Sequence, residues 1–124
     1  MRFYSIVFFF FSITAFCQTK SFQVGFLLDK NSPEISVLLN ELTDEIIAVV
    51  GEDAKLEFPP ESTLVNNFNA ELALRNYNSL VQNETDIIIA FGVVNNSVIS
   101  VIGSYNKPTI VFGALSKELI TDNT

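Results

Sequence analysis

Histidine and tryptophan are absent from this 124-residue chain, and cysteine occurs once. Without histidine, Ser-His-Asp and Cys-His catalysis lose their base, and most zinc sites lose their usual nitrogen ligand. The lone Cys17 has no partner for an internal disulfide. Basic residues are scarce as well: 7 Lys+Arg stand against 14 Asp+Glu, a formal net charge of −7. Such a chain offers no electrostatic footprint for a phosphate backbone, so nucleic acid and anionic membrane surfaces are poor partners. What remains favours binding over catalysis. No cofactor and no metal are expected, and the length suits a single domain.

Aromatic residues are unevenly placed. Phe3, Phe8, Phe9, Phe10, Phe11 and Phe16 put half of the 12 phenylalanines into residues 1–17. This segment has one basic residue, Arg2, and then an apolar run from Ile6 to Phe16 that falls short of the roughly 20 residues a membrane span needs. Ala15 and Cys17 supply small side chains at the −3 and −1 positions of a cleavage site. The reading is a secretory signal cut before Gln18. A lipidated Cys17 fits less well, because bulky Phe16 precedes it. Export then proceeds without disulfide stapling, and a hydrophobic core in residues 18–124 must stabilise the fold.

After the signal, strands and helices alternate. Phe22 to Leu28 (FQVGFLL) reads as a buried strand ending at Asp29-Lys30-Asn31. Ser32-Pro33-Glu34 gives a helix N-cap, a first-turn proline and a first-turn acid, and Gly51 stands at the C-terminal cap. Between them Ile35, Leu38, Leu39, Leu42, Ile46, Val49 and Val50 recur at helical spacing, opposite Glu41, Asp44 and Glu45. Ala54 to Phe58 alternates and stops at Pro59-Pro60, a second strand. Asn69 to Gln82 carries Ala70, Ala73, Leu74, Tyr77 and Val81 as a helix face. Asp86 to Phe91 (DIIIAF) reads as a strand covered on both faces. A shorter helix from about Asn95 to Ile102 leads to Pro108 and a fourth strand, Thr109 to Phe112. This order predicts an α/β fold: one lobe with a Rossmann-like, doubly wound parallel sheet of about four strands and helices on both faces. IIIAFGV and TIVFGAL share a Phe-Gly ending, which predicts neighbouring strands that finish at one edge.

Ligands of open parallel sheets bind beyond the carboxyl ends of the strands. Those ends are Asp29 to Ser32, Pro59 to Glu61, Gly92 to Asn96 and Gly113 to Ser116. Asn95 and Asn96 at a helix start are placed to meet a ligand carboxylate or hydroxyl, or to serve as plain caps. No glycine-rich phosphate signature follows the first strand, whose single Gly25 lies inside it. The third strand ends in Phe91-Gly92 without the acceptor carboxylate of a receiver domain. The sequons Asn83-Glu84-Thr85 and Asn95-Asn96-Ser97 are read as coincidental.

The stretch DIIIAFGVVNNSVISVIGSYNKPTIVFGAL resembles the N-terminal lobe of type I periplasmic binding proteins, in particular the ABC-transporter substrate-binding family. FQVGFLLD and the helix after it fit the same lobe, so the resemblance spans about residues 22 to 120. It implies a ligand, amino-acid-like or another neutral solute, held between two lobes. It also implies contact residues in this chain at Asp29, Asn31, Ser32, Gly92, Val93, Asn95, Asn96, Gly113 and Ala114. A second lobe would follow Thr124, so the chain is expected to be a piece of something longer. Alone it would bind weakly and self-associate through exposed strand ends. The segment is also similar to one found ahead of the helical barrel in some TolC-like outer-membrane efflux chains. Either way the expected setting is periplasmic or secreted, outer-membrane associated in the efflux case, with transporter or efflux components as partners.

Overall fold

The computed structural model describes residues 18–113; the expected signal, residues 1–17, and Ala114 lie outside them. β1, Lys20–Leu28, occupies the centre of a parallel sheet. It begins two residues before the apolar run because Lys20 and Ser21 pair with Ala54 and Lys55 of β2, Ala54–Glu57. α1, Pro33–Val50, starts where its caps predict: Ser32 Oγ accepts from the Ile35 N–H at 3.3 Å. It ends at Gly51, whose φ of 60° suits glycine and whose N–H donates to the Ile47 carbonyl at 2.9 Å.

Pro59-Pro60 interrupts the edge strand without ending it. After a 3-10 turn at Pro60–Ser62, the chain returns to β1 as β3, Thr63–Val65, with Phe26 opposite Thr63 and Leu28 opposite Val65. The sheet therefore has five strands where the sequence suggests about four. Pro59 to Glu61 lies midway along β1, and the carboxyl end of this edge is at Asn66. α2, Ala70–Gln82, crosses to β4, Ile87–Phe91, on the other side of β1. α3, Val93–Ser100, leads to β5, Thr109–Phe112. Phe91 stands opposite Phe112, so the two Phe-Gly endings do finish side by side. The order is β2-β1-β4-β5, with β3 continuing the β2 edge.

Strand periodicity divides the core into two layers. Val24, Phe26 and Ile89 point to the face covered by Leu39, Leu42 and Ile46 of α1. Leu27, Ile88 and Ala90 point to the opposite face, where Tyr77 and Leu80 of α2 and Ile99 of α3 complete the cluster. This is the doubly wound α/β arrangement. Gly25 lies on the α2 face, and a Cβ there would come within 2.9 Å of Leu80 and 3.2 Å of the Ser62 carbonyl. Its lack of a side chain lets α2 approach the sheet.

Three helix assignments change. In α1, Leu38 and Val49 are 47% and 84% exposed, because the helix covers the sheet with the narrower stripe of Leu39, Leu42 and Ile46. In α2, Leu80 is buried and Leu74 is exposed. α3 begins at Val93, with Gly92 as its N-cap residue, so Asn95 lies inside the first turn and is not the cap. No helix among the described residues is long and apolar enough to cross a membrane.

Candidate functional site

The chain leaves β1 toward β2 and β3 on one side, and β4, reached through α2, lies on the other, so the direction of winding reverses between β1 and β4. At that point of an open sheet the loops diverge and leave a crevice at the carboxyl edge. Asp29, the first residue after β1, is buried there. Its Oδ2 accepts from the Val94 N–H at 2.8 Å and its Oδ1 from the Asn95 N–H at 3.0 Å. These are first-turn amides of α3, which have no acceptor within their own helix. The carboxylate thus occupies the positive end of the helix as an internal anion.

Asn66, the residue after β3, completes the arrangement. Its Nδ2 donates to Asp29 Oδ1 at 2.8 Å and to Asn95 Oδ1 at 3.0 Å, while Asn95 Nδ2 donates to the Phe91 carbonyl at 2.9 Å. One buried network therefore joins the loops after β1, β3 and β4. Asn66 also shapes its own loop: its Oδ1 accepts from the Phe68 N–H at 2.8 Å, and Asn67 and Phe68 adopt φ of 51° and 60°. Left-handed backbone at a phenylalanine costs about 1 to 2 kcal/mol. A second bond, from Phe68 N–H to the Asp29 carbonyl at 3.2 Å, helps hold it. Phe68 itself is 63% exposed.

Gly92 is required beside Asp29. Its φ is 102°, and a Cβ at this position would overlap the Asp29 carboxylate. Gly113, with φ of 83°, closes β5 next to it, and a Cβ there would lie 3.8 Å from Asn96 Nδ2 and 3.9 Å from the Gly92 nitrogen. Asn96 is buried with its Nδ2 donating to the Phe112 carbonyl at 3.0 Å. Its Oδ1 is also buried and has no hydrogen-bond partner among the described residues.

Of the expected contact residues, Asp29, Gly92, Val93, Asn95, Asn96 and Gly113 gather at this edge, Val93 being half-exposed at the start of α3. Asp29 and Asn95 are turned inward and satisfied by each other's loops. Asn31 and Ser32 serve α1: Ser32 caps it, and Asn31 Oδ1 accepts from Ser36 Oγ at 3.5 Å. Ala114 lies outside the described residues. Asn66 is the member sequence reasoning missed; the signal for it was the run Thr63-Leu64-Val65 closed by Asn66-Asn67, a short strand followed by turn residues.

The amino edge holds an open groove of about 540 Å³, lined by Thr19, Ile47, Gly51, Glu52, Ala54, Lys55 and Leu56. It lies opposite the strand ends where the buried polar groups converge, and the network at the carboxyl edge is the more specific feature. Also away from the site, Lys107 Nζ donates to the Leu80 and Asn83 carbonyls at 3.1 and 2.6 Å and caps the C-terminus of α2. Tyr105 donates to the Ile99 carbonyl at 3.0 Å, and burial together with nearby Tyr77 raises its phenol pKa.

Comparison with protein-family models, with curated proteins and with solved structures finds no match to this chain. The resemblance to a periplasmic binding lobe therefore rests on the residues quoted for it.

Proposed function

We propose that this chain is an exported, non-catalytic solute-binding lobe of a small-molecule transport system, periplasmic or secreted. The observation that carries the reading is the Asp29-Asn66-Asn95 network, which fixes three loops of the carboxyl edge to one another. A rigid edge of this kind presents outward groups, here Val93, Phe68 and Gly113, in a set geometry for a ligand to meet. The absence of histidine and the unreactive chemistry of the edge, two amides and a carboxylate bound by donors, support binding over catalysis. One lobe supplies part of a ligand's enclosure, so the expected binding is weak. The test is a screen of amino acids and neutral solutes against the full chain, followed by amide chemical shifts. Saturable shifts in the loops after β1, β3, β4 and β5 support the reading. Shifts nowhere, or only around the amino-edge groove, overturn it.

A second reading, an accessory domain that contacts other proteins of an efflux assembly, is favoured by the β5 edge. Phe58, Phe26, Phe91 and Phe112 form a row across the sheet with ring centroids 5.8, 6.3 and 5.0 Å apart. The row ends at Phe112, which is 42% exposed beside Ile110 at 49%. Both are only half covered by the described residues, and a partner or a second copy would bury the rest. Sedimentation of the chain and of an Ile110→Lys variant over a concentration series tests this edge: association lost in the variant supports it as a contact surface, and association unchanged in the variant places the contact elsewhere.

A further inference from the structure

The two sides of the sheet differ in how they treat a free strand edge. The β2 side carries Lys55 and Glu57, joined at 2.9 Å, and breaks at Pro59-Pro60. Charges and prolines of this kind keep an edge from pairing with another chain. β5 has neither: Thr109, Ile110, Val111 and Phe112 are uncharged, in a chain whose formal net charge is −7, so no like charges would meet there. Pro108 stands before the strand, and Lys107 is turned away from it, its Nζ held by the Leu80 and Asn83 carbonyls at the end of α2.

The register with β4 decides which backbone groups of β5 are free. The Ile88 N–H donates to the Pro108 carbonyl and the Gly92 N–H to the Phe112 carbonyl, with Thr109 opposite Ile88 and Val111 opposite Ala90. In a parallel ladder of this register the N–H and C=O groups of Ile110 and Phe112 point to β4, and those of Thr109 and Val111 point outward. No strand among the described residues pairs with that outer side. The half-exposed side chains of Ile110 and Phe112 stand beside Ile89 and Phe91 on the α1 face, while Val111 packs against the α2 and α3 cluster.

We infer that β5 pairs antiparallel with β5 of a second copy, Val111 against Val111, so that the two sheets run on as one. A two-fold axis at Val111 lets this residue exchange both backbone bonds with its equivalent, because its groups are the ones that point outward. Ile110 of each copy then stands opposite Phe112 of the other, on the same face and at the closer, non-hydrogen-bonded kind of pair. The row Phe58, Phe26, Phe91 and Phe112 continues into the Ile110 of the second copy. Moving the axis to Ile110 would leave Phe112 opposite Pro108, and a slip of one residue would set outward groups against groups already bound to β4. The inference gives the β5 edge of the second reading one occupant and is independent of the solute-binding reading.

The test combines sedimentation of the full chain with nuclear Overhauser spectra of an equimolar mixture of carbon-13-labelled and unlabelled full chain. A concentration-dependent dimer is expected, with cross-peaks between labelled Ile110 methyl groups and unlabelled Phe112 ring protons. Val111→Pro removes an N–H that no bond within the sheet uses, so the fold should persist, as the Ile88 and Ile89 amides will report. This variant should stay monomeric at concentrations where the unaltered chain is dimeric. Association lost in Ile110→Lys but kept in Val111→Pro overturns strand pairing and leaves the edge as a contact surface. Cross-peaks from Ile110 to Ile110 of the second copy, with none to Phe112, overturn the register. Association kept in both variants overturns the inference and the edge contact together, and a chain that stays monomeric throughout overturns the inference alone.

Discussion

Two glycines with similar backbone signatures differ sharply in what surrounds them. Gly51 and Gly92 both have positive φ, 60° and 102°, yet a Cβ at Gly51 meets nothing within 4 Å while one at Gly92 overlaps Asp29. Gly51→Ala is therefore expected to cost about 1 to 3 kcal/mol, the backbone term alone. Gly92→Ala must also displace the carboxylate from the Val94 and Asn95 amides, and its cost should exceed that of Gly51→Ala by about 2 kcal/mol or more. Denaturant titration of both variants compares them; equal losses would mean that Asp29 does not lie against Gly92. The sequence marked Gly92 and Asp29 as edge residues, because each follows an apolar strand. It did not show that they touch, since that contact is made only once β1 and β4 become neighbours. Asn66 was harder still. Its partner Asp29 is 37 residues away, and its own surroundings read as an ordinary turn.

Elements were most legible where local chemistry decides them. Ser32, Pro33 and Gly51 bound α1 in the sequence and in the fold alike, because caps act within one turn. The break at Pro59-Pro60 was equally plain, but the return of the edge as β3 depends on pairing with β1, which no local pattern carries. Helix faces were the least secure. Ile99 and Leu80 are buried while Val101 and Leu74 are exposed, because packing against a particular strand selects among the apolar residues a helix offers. The continuous run of β4 did predict its central place, and Ile88 has no exposed surface. Ile88→Ala should cost about 2 to 5 kcal/mol, and Glu45→Ala on the outer side of α1 no more than about 0.5 kcal/mol. A denaturant titration in which the two match would refute the burial assignment. At the C-terminus of α2, Lys107→Met removes two charged hydrogen bonds to otherwise unsatisfied carbonyls. A loss of about 1 to 2 kcal/mol is expected for this half-exposed group. Lys30→Met should fall within about 0.5 kcal/mol. Thermal unfolding of the pair checks the difference.

For the molecule as a whole, the same winding that creates the crevice also fills it. β1 and β4 part their connections in opposite directions, and Asp29 enters the opening to neutralise the α3 terminus, with Asn66 and Asn95 holding it there. The carboxyl edge is thus filled from within, and the residues it leaves exposed include Val93, Phe68 and Gly113. Amide hydrogen exchange of Val94 and Asn95 tests this most directly, since first-turn amides of a helix ordinarily exchange fast for want of an acceptor. With no solute added, both are expected to be strongly protected in the full chain, and Asp29→Ala should release them while the Ile88 and Ile89 amides stay protected. Exchange of Val94 and Asn95 at the rate of an open amide, slowed only when a solute is supplied, would contradict the self-filled edge and return the α3 terminus to the ligand.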